Sequence, residues 1–96
     1  MDEKNGKNLV KILKAVANEN RFLILKCLYK NKELAVGDLA EMTNKPFRSV
    51  SKDLGILRRA ELVRSRNFNL NKRYSINITK FPRDLFHFLV ERWDGK

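Results

Sequence analysis

The chain has 96 residues and a net charge of +10 at pH 7, with 21 lysines and arginines against 11 aspartates and glutamates. Its length is that of one domain, and its 43% hydrophobic and 33% charged residues are typical of a globular protein rather than a disordered one. So large a positive excess favours a polyanionic partner, most simply nucleic acid. The single cysteine, Cys27, excludes an internal disulfide and a cysteine-rich metal site.

Neither secretion nor membrane insertion is favoured by the sequence. It contains no apolar run long enough to cross a bilayer, and its first residues lack the apolar segment of a secretory signal. A lone cysteine fits a reducing compartment. We therefore expect one cytoplasmic domain over residues 1–96, with about residues 1–7 flexible and no membrane contact.

Hydrophobic periodicity predicts two helices in the first third of the chain. Apolar residues from Leu9 to Val16 recur at helical spacing. Asn18 then interrupts the pattern and is a favourable N-cap for the next helix. Residues 22–28 are apolar except for Lys26. This nearly continuous apolar run predicts the central helix of the core.

Two helices separated by a tight turn are predicted in the middle of the chain. Residues 36–43 have the apolar spacing of a short helix, and Asn44 and Lys45 form the turn. Pro46 suits the first turn of the following helix, where a missing N–H leaves no hydrogen bond unmade. That helix is predicted over about residues 46–60.

The helix at about residues 46–60 has an apolar and a basic face. Val50, Leu54 and Leu57 form the predicted core face, and polar and basic residues lie opposite them. A helix about 10–12 Å across fits the major groove of DNA, about 12 Å wide, where Arg48 can form two hydrogen bonds with guanine. The DNA contacts expected from this recognition helix are Phe47, Arg48, Ser49, Ser51, Lys52 and Arg59.

A basic β-hairpin is predicted over about residues 62–78. Its two extended runs flank Asn69 and Asn71, which tolerate the backbone of a hairpin turn. Two helices followed by such a hairpin indicate a winged helix-turn-helix, and residues 45–73 carry nine basic residues against two acidic ones. The DNA contacts expected from the wing and the turn are Lys45, Arg64, Arg66, Lys72 and Arg73.

A last helix is predicted from Phe81 to Trp93, with apolar residues on more than one side. Such a helix commonly packs one side on its own core and the other against a partner. The predicted fold is therefore α+β and mostly helical: a winged helix-turn-helix with five helices and a two-stranded wing.

Three stretches of the sequence resemble ArsR-type winged-helix repressors. They are LKAVANENRFLIL from residue 13, ELAVGDLAEM from residue 33 and VSKDLGILRRAELVRSR from residue 50. The resemblance implies a homodimer built from the first and last helices, binding to an inverted-repeat DNA operator, and repression relieved by a signal. It also matches Arg48, Ser49, Ser51 and Lys52 with the family's recognition helix. The dimer contacts expected are Leu9, Ile12, Leu13, Leu85, Phe86, Leu89 and Trp93.

The sequence departs from the family at its metal-sensing positions. Ala35 and Gly37 stand where metal sensors of the family carry a Cys-x-Cys pair. Asp84, His87 and Glu91 share one face of the last helix, but the family's second histidine and its Asp-x-His spacing are missing. We expect a surface pair of His87 with Glu91, no bound metal and no cofactor.

The roles of two further residues, Phe47 and Cys27, are considered separately. Phe47 replaces a residue that is more often polar in the family; it either packs against the turn or touches a thymine methyl group. Cys27 lies within the apolar second helix, where a buried, inert thiol is expected.

Enzymatic activity has no support in the sequence. It offers no glycine-rich phosphate loop, no histidine placed to act with Cys27 as a base, and no paired-carboxylate cleft. The main hypothesis is a sequence-specific, double-stranded DNA-binding transcriptional regulator acting as a dimeric repressor. The alternatives are a winged-helix protein-interaction module and a nonspecific nucleic-acid binder. The placement of the charge favours the first, because an interaction module does not require both a basic helix face and a basic wing.

Overall fold

The computed structural model describes the backbone of residues 3–77 and 83–95, and the side chains of residues 9–77, 84 and 87–92. Within these ranges the predicted five helices and the wing are present, and the backbone of residues 3–7, expected to be flexible, is helical. No helix of the described residues is long and apolar enough to span a membrane. The elements in chain order are α1 (Glu3–Val16), α2 (Glu19–Lys30), β1 (Leu34–Ala35), α3 (Val36–Thr43), α4 (Phe47–Arg59), β2 (Val63–Phe68), β3 (Asn71–Ile76) and α5 (Arg83–Gly95).

Local backbone chemistry sets the helix boundaries. The side-chain oxygen of Asn18 accepts a hydrogen bond from the backbone N–H of Arg21 at 3.0 Å, which confirms the predicted N-cap of α2. Helix α3 ends at Asn44, which adopts the left-handed conformation with φ of 56°. Pro46 then has φ of −59° and leads directly into α4. The turn between α3 and α4 is therefore set by the left-handed conformation of Asn44 and by the restricted φ of Pro46.

The wing belongs to a three-stranded antiparallel sheet of order β1-β3-β2. Strands β2 and β3 meet at Asn69, whose φ of 57° is the left-handed turn conformation predicted for it. Strand β1 pairs Leu34 with Tyr74 and Ala35 with Arg73. The predicted two-stranded wing thus gains a third strand of two residues, which attaches the wing to the start of α3.

The core is formed by aliphatic residues from all five helices and from β2. The predicted apolar face of α4 is confirmed, because Val50, Leu54 and Leu57 are at most 1% exposed. Leu25 of α2 and Leu39 of α3 are fully buried against them, and burial of such a side chain contributes about 1.5–3 kcal/mol. This packing fixes α4 with its opposite face toward solvent.

Candidate nucleic-acid interface

The outward face of α4 presents unpaired positive charge. Arg48, Ser51 and Lys52 are exposed, as the helical spacing predicted. Neither Arg48 nor Lys52 forms an ion pair within the described part of the chain. Both cations lie in the first half of the helix, where the positive end of the helix dipole adds to their attraction for an anion.

One flank of this face meets the N-terminus of α2. Ser49 and Lys52 line an open cleft of about 270 Å³ together with Asn18 and Asn20. Asn20 is exposed at this cleft, and the sequence analysis did not identify it because it belongs to another helix. The cleft therefore adds amide groups to the hydroxyl and ammonium groups of α4.

Arg21 joins three helices behind that cleft. Its Nε donates a hydrogen bond to the backbone oxygen of Ala15 at 2.7 Å, near the end of α1. Its Nη1 lies 3.4 Å from Oδ1 of Asp53 on α4, and both side chains are less than a fifth exposed. Arg21 thus holds α4 against α1 and α2, and the charge of Asp53 is neutralised within the fold.

The other flank of α4 faces the wing tip. Phe47, the first residue of α4, is 61% exposed. Leu70, in the turn of the wing, is 100% exposed. These two side chains line one groove of about 220 Å³ with Val36, Gly37 and Lys72. No sequence pattern indicated Leu70, because its position near Phe47 depends on the way the wing returns to α3.

The C-terminal end of α4 contributes to a different surface. Arg59 lies about 16 Å along the helix axis from Arg48, by the rise of 1.5 Å per residue. With Arg58 and Arg64 it lines an open cleft of about 560 Å³ between α4 and β2, which also contains Glu61. The structure therefore separates Arg59 from the other residues predicted on the recognition helix.

Two of the predicted wing contacts are engaged within the protein. The guanidinium of Arg66 donates to both carboxylate oxygens of Glu33, at 2.6 and 2.8 Å. This hydrogen-bonded pair lowers the pKa of the Glu33 carboxyl below its ordinary value and raises the pKa of Arg66. Glu33 immediately precedes β1, so the ion pair ties β2 to the segment that leads into α3.

The same side of the wing contains an aromatic ring between two cations. The antiparallel register places Arg66 opposite Arg73. Their guanidinium carbons lie 5.2 and 4.6 Å from the ring centroid of Phe68, within the range of a cation–π contact. Arg73 is half-buried, and its Nε has no hydrogen-bond partner in the described structure. The predicted wing and turn contacts that remain exposed and unpaired among the described residues are Lys45, Arg64 and Lys72.

Helix α1 has an apolar stripe that its own core does not cover. Leu9 and Leu13, both predicted as dimer contacts, are 46% and 57% exposed. Ile12 instead packs partly against the core. Val10, which the sequence analysis did not select, is exposed beside Leu9. The helix therefore buries one side in its own fold and leaves an apolar side free.

Helix α5 shows the same division over the side chains that are described. Leu89 packs partly against the core and Val90 is buried. Phe88 is exposed, and the guanidinium of Arg92 lies 4.8 Å from its ring centroid. The side chains of three other predicted dimer contacts lie outside the described residues: Leu85, Phe86 and Trp93.

Among the described residues, no group of histidine, cysteine, aspartate and glutamate side chains is placed so that it could hold a metal ion. Nδ1 of His87 lies 2.6 Å from the hydroxyl of Tyr29 on α2. His87 is thus hydrogen-bonded to α2, and the expected pair of His87 with Glu91 is not present among the described side chains. Cys27 is only half-buried rather than fully buried, and that burial raises the pKa of its thiol, which stays protonated at neutral pH.

Comparisons with known proteins agree with this architecture. The family model for bacterial regulatory proteins of the arsR family matches residues 18–65. The chain is 37% identical to the transcriptional activator HlyU of Vibrio cholerae over 78 residues, which cover 81% of this chain and 71% of that protein. The solved structure of HlyU from Vibrio cholerae aligns with a TM-score of 0.85 and 34% identity, covering 99% of this chain and all of that one.

Two further solved structures are similar. One is the homodimeric winged helix-turn-helix DNA-binding domain Mb0332 from Mycobacterium bovis, with a TM-score of 0.83, 25% identity, and coverage of 98% of this chain and 88% of that one. The other is the transcriptional repressor PagR of Bacillus anthracis, with a TM-score of 0.81, 26% identity, and coverage of 92% and 99%. The resemblance predicted from the three sequence stretches is thereby confirmed.

Proposed function

The chain belongs to the arsR family of bacterial regulatory proteins, and we propose that it binds a specific inverted-repeat DNA operator as a homodimer and represses transcription there. It is a transcriptional regulator with a DNA-binding winged helix. The observation that carries the proposal is the exposed, unpaired basic face of α4 opposite its fully buried apolar face.

Sequence reading is assigned to the first half of α4. Arg48 is exposed and unpaired, and a guanidinium there can bind guanine through two hydrogen bonds in the major groove. Ser51 shares this face and donates to or accepts from base edges or phosphate. Lys52 and Ser49, beside the cleft at α2, contact phosphates and set the position of the helix on the duplex.

Backbone binding is assigned to the wing and the turn. Lys45, Arg64 and Lys72 are exposed and free of ion pairs among the described residues, so their charges can displace counterions from phosphates. Arg66 and Arg73 are instead assigned to positioning the wing, because Arg66 pairs with Glu33 before β1 and both guanidiniums contact the ring of Phe68. Lys45, Arg64 and Lys72 thus fix the turn and the wing against the DNA backbone without reading its sequence.

Homodimerisation is supported by the uncovered apolar residues of α1 and α5. Exposed apolar patches on soluble proteins usually mark interfaces. The exposed apolar residues of these helices are Leu9, Val10, Leu13 and Phe88. The similar Mb0332 domain is a homodimer. A two-fold dimer presents two copies of α4 to successive major grooves, roughly 34–36 Å apart, which requires an inverted repeat.

Selection from random-sequence duplexes tests the proposal. We expect enrichment of a site with two inverted half-sites, and light scattering should give twice the mass of one chain. Leu13→Asp should yield the monomer and lose the paired half-sites, whereas Leu70→Asp, which changes a fully exposed leucine at the wing tip, should remain dimeric. Retention of DNA without enrichment would indicate a nonspecific binder, and no retention would favour a protein-interaction module.

Transcription in vitro tests the repressor assignment separately. Binding over a promoter excludes the polymerase, so the transcript from the selected site should decrease as the protein is added. The named relatives include both an activator and a repressor. An increase in transcript would therefore assign the activator role instead.

A further inference from the structure

An exposed aromatic ring begins the recognition helix. Phe47 is the first residue of α4 and precedes Arg48 directly. The residue is 61% exposed, so its side chain is not buried against the turn between α3 and α4. Exposure of so much apolar surface is unfavourable in water, and the cost is recovered when a ligand covers the ring.

The ring lies on one side of a groove with apolar walls. Leu70 forms part of another wall, from the tip of the wing, and is fully exposed. The first turn of α3 forms the floor, where Val36 contributes apolar surface. A Cβ built at Gly37 would have no heavy atom within 4 Å, so the floor beside Val36 is open. The groove of about 220 Å³ can admit a small apolar group.

The charges around the groove identify its occupant. Lys72 lines the groove itself, and Arg48 and Lys45 are exposed beside Phe47 in the chain. An apolar protein segment would gain nothing from three cations, whereas a polyanion that displays a small apolar group matches both features. In the major groove of DNA, the apolar group displayed by a base pair is the 5-methyl group of thymine.

We propose that Phe47 is a base-reading residue that selects thymine by contact with its 5-methyl group, with Leu70 closing the groove from the wing side. This inference rests on the proposed function, since it requires α4 to lie in the major groove. Phe47 and Arg48 then read different base pairs of one half-site: Arg48 a guanine by hydrogen bonds, Phe47 a thymine by apolar contact. Each selected half-site should contain both bases.

Replacement of thymine by uracil tests this contact alone. Deoxyuridine removes the methyl group and leaves the base pairing and the phosphate charge unchanged. In the selected operator, each thymine is replaced in turn and the Kd is measured by fluorescence anisotropy. At one thymine in each half-site we expect the affinity to fall about fourfold, the value of one buried methyl-sized group.

A double-mutant cycle assigns the effect to the residue. Phe47→Ala should bind the thymine and uracil operators equally well. Met42→Ala, which removes another exposed apolar side chain, should retain the full thymine preference. Because the ring of Phe47 is exposed, Phe47→Ala should keep the melting temperature of the wild type, which checks that the variant is folded.

Three results would overturn the inference. The first is a wild-type protein that is insensitive to uracil at every thymine of the operator. The second is a thymine preference that Phe47→Ala retains in full. The third is a protein that fails to distinguish the selected operator from a scrambled duplex; that result removes the proposed function as well, and it is visible before any uracil is introduced.

Discussion

The recognition helix and the wing are both basic, but their charges are used differently. On α4, Arg48 and Lys52 face solvent with no ion pair among the described residues. On the wing, Arg66 is held by Glu33 and, together with Arg73, stacks on Phe68. A basic residue in the sequence therefore does not always provide a positive charge to DNA, because an acidic residue of the same protein can neutralise it.

The two surfaces differ because Arg66 of the wing is already held by a contact within the protein before DNA binds, whereas Arg48 and Lys52 of α4 have no such contact among the described residues. Water and salt screen an exposed ion pair, so the contact of Arg66 with Glu33 stabilises the fold little. The Arg66–Glu33 pair does fix the position of the wing relative to the segment before α3. It also neutralises one positive charge on the surface that would face DNA. The account therefore assigns sequence reading to α4, backbone binding to Arg64 and Lys72, and wing positioning to Arg66.

Replacement of Arg48 should have the largest effect. We expect Arg48→Ala to weaken operator binding by about 1–3 kcal/mol per half-site and to relax the preference at one base pair of each half-site, because a bidentate base contact is lost in each. Anisotropy titrations against the operator and its single-base variants measure both effects. Arg58→Ala is the matched control, since Arg58 is exposed at the other end of the same helix. Equal losses for the two variants would contradict the assignment of the reading face.

Replacement of Arg21 tests how α4 is held in place. Arg21→Ala removes hydrogen bonds to Ala15 and Asp53, and we expect the free energy of unfolding to fall by about 1–2 kcal/mol. Arg21→Lys keeps the charge but loses the forked geometry, so it should lie between the wild type and the alanine variant. Urea denaturation measures the change, and an unaltered midpoint in Arg21→Ala would refute the bracing role.

Salt dependence separates the two classes of wing arginine. Arg64→Ala should reduce the slope of log K against log salt by about 0.9 per protomer, or about 1.8 for the dimer, because each copy loses one phosphate contact. Arg66→Ala should reduce it by less than half as much, because Glu33 already neutralises Arg66. In a Glu33→Gln background, the two alanine substitutions should have similar effects. Identical slopes for Arg64→Ala and Arg66→Ala in the presence of Glu33 would contradict the comparison.

The titration of Glu33 should show the smallest effect. Its pKa is lowered in the folded protein chiefly by the hydrogen bond from Arg66. A carboxyl with a lowered folded-state pKa stabilises the fold above its unfolded-state pKa, and that contribution is lost as the pH falls through the folded-state pKa. NMR titration should find the pKa of Glu33 below its ordinary value and raised toward it by Arg66→Ala. A pKa that does not respond to Arg66→Ala would disprove the pairing in solution.

Local features of the fold were predictable because their causes are local. The N-cap at Asn18, the left-handed turn at Asn69 and the buried stripe of α4 each depend on residues within a few positions of one another. The same spacing correctly predicted which side of α4 faces solvent, because a helix with one apolar stripe has only one way to pack on a core.

Contacts between distant segments were not predictable. Glu33 and Arg66 are separated by 33 positions, and Arg21 and Asp53 by 32, and no pattern in the sequence links either pair. Periodicity also grouped Leu13 with Ile12 on α1, although the position of α2 divides them between a free and a packed side.

Fluorescence anisotropy with the selected operator and a scrambled duplex of equal length, at about 0.15 M salt, tests the central claim most directly. We expect the protein to bind the operator more tightly than the scrambled duplex by roughly a thousandfold or more, as for a protein that reads base edges. Weak and equal binding to both duplexes, falling steeply with salt, would contradict it, because charge alone would then explain the affinity.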